Sequence, residues 1–381
     1  MIAVSFGLAR YGYGLLLPEM QAELAIGPGA AGLISSGTYL SYLAANIGAV
    51  AVTSRFCVRA VIGLAAALAA AGMTTIATAH GAPMLATGVL VAGAAAGLAF
   101  PPYADLVAQH VPERRRDLAW STISSGTGWG VAIAGPIAIA AGDGWRLAWS
   151  VFVALAIVVG AVAVFLAPTR NSGQQLRRPQ LSWTWFFCPK SRPLLISAVL
   201  IGTGSAVWWA FSVDALREAG VDATSARTVY AVCGAAGILA SASGTVFARH
   251  GLRSGYLTAC TLLAASLAVL GFATSHLVAA LSAAVLFGIF YNSVIAAQGI
   301  WSSRVFADHP AAGLAAVNTA LTVGTLIGPS IAGAVIAAAG FTTTLAAAAA
   351  VTLAALTFCP PTARRRHILS THQCNAAPVR T

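Results

Sequence analysis

Charge is what this sequence has least of. Asp, Glu, Lys and Arg make up 8% of its 381 residues, against about 25% in a soluble domain. So small a share cannot cover a water-facing surface, which excludes ordinary soluble folds. Lysine is nearly missing, since Lys190 is the one lysine among 21 basic residues. Chemical motifs are missing too. The six cysteines (Cys57, Cys188, Cys233, Cys260, Cys359, Cys374) form no C-x-x-C pair and no ligand spacing, so free thiols are expected, with no disulfide framework and no metal site. The seven histidines lie in or beside loops, and no nucleophile elbow, phosphate-binding glycine loop or H-E-x-x-H stretch occurs. Neither an enzyme nor a cofactor is indicated, and ATP drive would need another chain.

What the sequence has is apolar length. Hydrophobic residues reach 58% and the mean hydropathy is +0.82. Glycine, proline and charge divide the chain into twelve apolar runs, at 2–20, 31–53, 60–79, 84–107, 118–141 and 145–167, then 194–216, 226–248, 256–275, 277–300, 312–339 and 341–358. A transmembrane helix needs about 20 apolar residues, so each run is read as one span. The runs lack the alternation of barrel strands. The fold class expected is an all-α integral membrane protein of twelve helices. The run from Ile2 has no basic leader, so it is read as a retained first helix.

The arginines orient these spans. The net charge of +11 and pI of about 10.0 would suggest nucleic acid in a soluble protein. Here the basic residues sit between apolar runs, which points to topology signals and to no nucleic-acid partner. Seventeen basic residues, including Arg55, Arg59, Arg114 and Arg304, fall in one set of connections or the tail. Only Arg146, Arg217 and Arg227 fall in the other set. Positive residues mark the cytoplasmic side, so both termini are expected inside, in the cytoplasmic membrane.

The chain also repeats itself. Arg55-Phe-Cys-Val-Arg59 after span 2 is echoed by Arg249-His-Gly-Leu-Arg253 after span 8. Gly135-Pro136 in span 5 is echoed by Gly328-Pro329 in span 11, at the same offset to within one residue. Such pairing marks secondary transporters built from two homologous halves, with substrate sites near the midplane. The organisation expected is a six-helix bundle at 1–167, a cytoplasmic loop at 168–193, a second bundle at 194–358 and a tail at 359–381.

At these places the chain resembles a permease of the major facilitator superfamily. The loop after span 2 is similar to that family's G-x-x-x-D-[RK]-x-G-[RK]-[RK] signature and keeps Arg55 and Arg59, with Ser54 and Cys57 at the Asp and Gly positions. The stretches Gly126–Pro136 and Gly324–Gly333 resemble its G-x-x-x-G-P-x-x-G-G element, with the final double glycine missing in span 5. Asp143-Gly-Trp-Arg146 opening span 6 is a common family feature. The resemblance implies alternating access to one central cavity and says little about substrate.

Polar groups at mid-depth are costly in lipid and so face a cavity or a partner. Arg10, inside span 1, is the sharpest candidate, read as a cavity residue against the plainer reading of an Arg bonded to a nearby carbonyl. Tyr39, Tyr42 and Asn46 share one face of span 2, as a cavity wall or an interhelical seam. Tyr291, Asn292 and Gln298 in span 10 carry the same ambiguity. Trp129, Trp208 and Trp209 are candidate aromatic walls for organic or cationic ligands. Asp105 with Arg55, Arg59 and Arg114 forms either a cytoplasmic gate or a surface salt-bridge cluster. Gly93 with Gly97, Gly126 with Gly130, and Gly324 with Gly328 are packing pairs. Gly135, Pro136 and Pro329 join them as sites of bending.

The reading carried forward is a monomeric secondary active transporter of a small organic solute, by efflux or metabolite exchange, with protons as candidate coupling ion. Arg10 argues for an anionic solute and an uptake permease; the Gly-Pro elements and aromatics argue for efflux of lipophilic or cationic compounds. A non-transporting membrane sensor or assembly partner is the reading from another class.

Overall fold

The computed structural model describes residues 1–167, 189–307 and 310–361. Residues 168–188 of the expected central loop and 362–381 of the expected tail lie outside them. Every regular element among the described residues is helical, and the elements follow the twelve runs in order. Spans 2 to 6 are Pro28–Arg55, Val58–Ala77, Ala82–His110, Glu113–Ala141 and Trp145–Leu166. Span 7 is Arg192–Glu218, span 9 is Leu252–Phe272 and span 10 is Leu277–Val305. Among the described residues, eight helices are long and apolar enough to cross a membrane, and Ser125–Ala141 adds a shorter apolar segment of span 5. Phe165, Phe272 and Val278 are each over 70% exposed, which suits side chains meant to meet hydrocarbon.

Span 1 departs from the single helix expected over 2–20. It is built of three pieces, Ala3–Leu8, Gly12–Leu15 and Leu17–Leu24. The first is a π-helix, in which Ala9 N–H donates to Val4 and Tyr11 N–H to Phe6, one residue wider than an α-turn. Pro18 then removes a donor near the start of the third piece. Span 8 also changes pitch, from Ala223–Ile238 through the tight turn Leu239–Ala242 to Ser243–His250.

Spans 11 and 12 run together as Pro310–Ala354, broken only at Gly340, whose φ is 78°. Span 5 ends on Gly142 at φ 58°. Both bends need a backbone conformation that glycine adopts without steric cost, and they fall at matching points of the two repeats.

The halves meet by exchange of equivalent partners. Span 2 packs on span 11, span 5 on span 8, and span 1 on span 7. Exchanging each helix for its repeat equivalent returns the same pairs. Within the halves, span 3 packs on spans 4 and 6, and span 9 on spans 10 and 12.

Candidate functional site

The break in span 1 places Arg10 where the two halves meet. Its guanidinium carbon lies 4.5 Å from the ring centroids of both Tyr39 and Tyr42 on span 2. It also lies 5.3 Å from the Phe6 ring and 5.5 Å from the Tyr11 ring on its own span. A cation at these distances is attracted by each ring face. Arg10 keeps some exposed surface, but its Nε–H is buried with no acceptor. Among the described residues no carboxylate pairs with it.

The run of aromatic rings continues across the interface. Tyr11 lies on Trp209 of span 7 at 4.3 Å between centroids. Trp209 meets Tyr291 of span 10 edge-on at 5.7 Å, and Tyr291 stacks on Phe287 at 5.4 Å. Tyr39, Trp209 and Tyr291 are all buried. Five of the residues singled out from sequence therefore come together: Arg10, Tyr39, Tyr42, Trp209 and Tyr291.

The others are placed elsewhere. Trp208 is fully buried inside the second half, stacked on Phe287 at 4.4 Å. Trp129 is 55% exposed beside Ile133, which is 46% exposed, on the outer face of span 5. Asn292 is exposed, and its amide donates to Gly288 O on its own helix (2.9 Å), against Gly237 of span 8. Asn46 is half-buried, with its backbone facing Gly97 of span 4. Gln298 belongs to a separate buried set, donating to Ser197 (2.9 Å), which bonds Tyr256 (2.6 Å). Arg59 is half-buried in the first turn of span 3. The side chains of Asp105, Arg55 and Arg114 lie outside those described. The glycine pairs sit at close approaches: Gly93 and Gly97 against span 2, Gly130 against Gly7 of span 1, Gly324 and Gly328 against span 7.

A second polar group closes the arginine-poor end, and sequence reading missed it. Arg227 on span 8 donates through Nη2 to Glu19 Oε1 on span 1 (2.7 Å) and through Nη1 to Ala138 O on span 5 (3.0 Å). The Arg227 side chain is 2% exposed and that of Glu19 10%. One salt bridge thus ties three spans and both halves. Gln21, its amide nitrogen facing Asp214 on span 7, donates to both carboxylate oxygens (3.1 and 2.9 Å). Ser36 and Ser330 join spans 2 and 11 at 2.7 Å. About two turns into span 8, Tyr230 donates to Tyr11 O at 2.9 Å. At the rim, Glu23 accepts from Arg146 and from Trp145 Nε1, and these bonds, led by the one from Arg146, hold its carboxyl below the usual range.

The halves are in close contact toward the arginine-poor end. A Cβ on Gly32 of span 2 would strike Pro329 O of span 11, and one on Gly333 would strike Pro28 O. Gly48, further along span 2 on the opposite face of the helix, has nothing within 4 Å. On span 8, Gly234 presses on Val131 of span 5. These contacts shut the arginine-poor end, with the Arg10 cluster beside it.

The sequence model described as Major Facilitator Superfamily matches residues 1–250. Among solved structures, the chain is similar to the nucleoside transporter NupG, with a TM-score of 0.79 at 13% identity over 94% of this chain and 96% of that one. It is also similar to a bacterial homologue of the human lysosomal transporter Spinster, in an inward-facing and unoccupied conformation. There the TM-score is 0.74 at 15% identity, over 94% of this chain and 92% of that one. No curated protein matches the sequence. At these identities the likeness concerns the fold.

Proposed function

This chain belongs to the Major Facilitator Superfamily, as a secondary transporter of small solutes, and we propose that its solute is a small organic anion recognised by Arg10. The observation that carries this reading is the unneutralised charge. A guanidinium at mid-depth is costly, and four ring faces offset only part of that cost. A solute carboxylate or similar group supplies the missing countercharge. A cationic solute would face repulsion at the same place, which disfavours the lipophilic-cation efflux reading.

The arginine distribution supports a cytoplasmic position for both termini. The Glu19–Arg227 end is then the outer one, closed in this structure, and the arginine-rich end is the cytoplasmic one. In that arrangement the solute reaches Arg10 from inside, and the outer salt bridge must break before it can leave outward. A monomer suffices for this cycle, since both halves of the site come from one chain. No ligand of the named neighbours is carried over to this site.

Counterflow in proteoliposomes tests the reading. Vesicles preloaded with an organic acid should accumulate the labelled acid against its gradient. Arg10→Ala should abolish this while still inserting and purifying as folded protein. Equal counterflow by the variant would overturn the role of Arg10. Wild type that binds acids without counterflow would instead be the sensor.

A further inference from the structure

We infer that the Arg10 site takes a planar aromatic monocarboxylate, a class defined by ring, single negative charge and carboxylate together. The inference rests on the anion reading above and narrows it. Three observations set the class.

The first is charge. Arg10 is the cation of the cluster, and the next cation toward the closed end, Arg227, is committed to Glu19 and Ala138. A dianion would bring a second charge that no described side chain nearby neutralises. A monoanion matches the site.

The second is the unused donor. Arg10 Nε–H is buried and lacks an acceptor, and such a donor carries the full cost of its desolvation. A guanidinium offers paired N–H groups to the two oxygens of a carboxylate. An arriving carboxylate engages the terminal nitrogens first. A shift of the Tyr39 or Tyr42 ring then lets one oxygen reach the Nε edge, so the site gains a bond as it closes on its ligand.

The third is shape. From Arg10 a run of rings in mutual contact continues through Tyr11 to Trp209 and Tyr291, with centroid spacings of 4.3 and 5.7 Å. These are the offset and edge-to-face separations aromatic groups prefer, so a flat ligand ring can take the place of one such contact. A flat ring held by its carboxylate at Arg10 would join this run, with Tyr11, Trp209 and Tyr291, drawn from both halves, as its neighbours. A solute that touches both halves can bias their relative position; one held by Arg10 alone cannot.

The test is binding by the purified full-length protein in nanodiscs, followed by calorimetry and thermal unfolding. The probes are benzoate, phenylacetate, indole-3-acetate, cyclohexanecarboxylate, phthalate, benzamide and benzylamine. The aromatic monocarboxylates should bind, with benzoate about tenfold tighter than cyclohexanecarboxylate, the size of effect one or two ring contacts provide. Phthalate should bind more weakly than benzoate, and benzamide and benzylamine should give no saturable binding. Trp209→Leu should erase the preference for benzoate over cyclohexanecarboxylate while leaving some affinity for both. Arg10→Lys, which keeps the charge and loses the fork, should weaken benzoate and bind phthalate no better.

Equal binding of benzoate and cyclohexanecarboxylate would overturn the aromatic inference and leave the anion reading standing. Benzamide binding as tightly as benzoate, or benzoate binding unchanged in Arg10→Gln, would overturn both. Failure of all three aromatic acids to shift unfolding at about 10 mM, where a ligand well above its Kd must stabilise the folded state, would also overturn the inference.

Discussion

The hydroxyl of Tyr230, on span 8, donates to the carbonyl of Tyr11 at the break in span 1, over 2.9 Å. Tyr11 directly follows Arg10, so a residue of the second half grips the backbone beside Arg10 in the first. The same hydroxyl lies 3.3 Å from Trp209 O. Three residues earlier on the same face of span 8, Arg227 holds Glu19. One face of span 8 therefore holds both the break in span 1 and the salt bridge at the arginine-poor end.

Tyr230→Phe leaves the buried Tyr11 carbonyl without that donor, at a cost of about 1–3 kcal/mol to the closed arrangement. The shut end should open more often. A Ser36→Cys reporter, buried here beside Ser330, should react faster with a membrane-impermeant maleimide in the Tyr230→Phe background. Unchanged labelling would show that the hydroxyl does not hold this end.

Glu19→Gln should destabilise the shut state more than removal of both partners does. Breaking a buried pair from one side strands the other charge, here Arg227, and costs about 3–5 kcal/mol. Glu19→Gln combined with Arg227→Met should recover part of that loss. Thermal unfolding of the two single variants and the double variant checks it, and purely additive losses would contradict the pairing.

Gly333→Val should abolish transport without blocking membrane insertion. Its Cβ would collide with Pro28 O across the interface between spans 2 and 11, and backbone cannot move aside as a side chain can. Gly48→Val, on the open stretch of span 2, should transport normally. The contrast is read in proteoliposome uptake normalised to inserted protein.

Acid should loosen the rim at Glu23. Its carboxyl is held below the usual value of 4.5 by the bond from Arg146 and then by that from Trp145. Because the folded pKa is the lower one, this contribution is complete above 4.5 and is lost as pH falls through the depressed value. Emission from Trp145, whose Nε1 bonds Glu23 at 2.6 Å, should shift as pH falls through that depressed value and stay constant above 4.5. Glu23→Gln should lack that transition.

The helices were legible because hydrocarbon imposes a simple rule on composition, and the arginines marked the connections independently. Tyr39 and Tyr42 could be placed on one face by helical spacing, and Arg10 stood out because a charge inside an apolar run has few explanations. Glu19 and Arg227 were not legible as a pair. They lie 208 residues apart, each beside a span end where a charge needs no special account, and only the packing of span 1 against spans 5 and 8 buries them. Trp129 was not legible in its surroundings: it lies apart from the cluster, 55% exposed with Ile133 beside it, and a lone indole in an apolar run gives no sign of which face it takes. The π-turns of span 1 leave no sign in sequence either, because they depend on what the neighbouring helices leave open.

The break at residues 9–11 has an evolutionary consequence. One short stretch carries the Arg10 charge and, through its next carbonyl, offers a handle to the opposite half. Mutations there would alter affinity and turnover together, so the stretch has little freedom to drift. New specificities in descendants of this protein should arise in the surrounding rings, which can be exchanged one at a time while the motor stays intact.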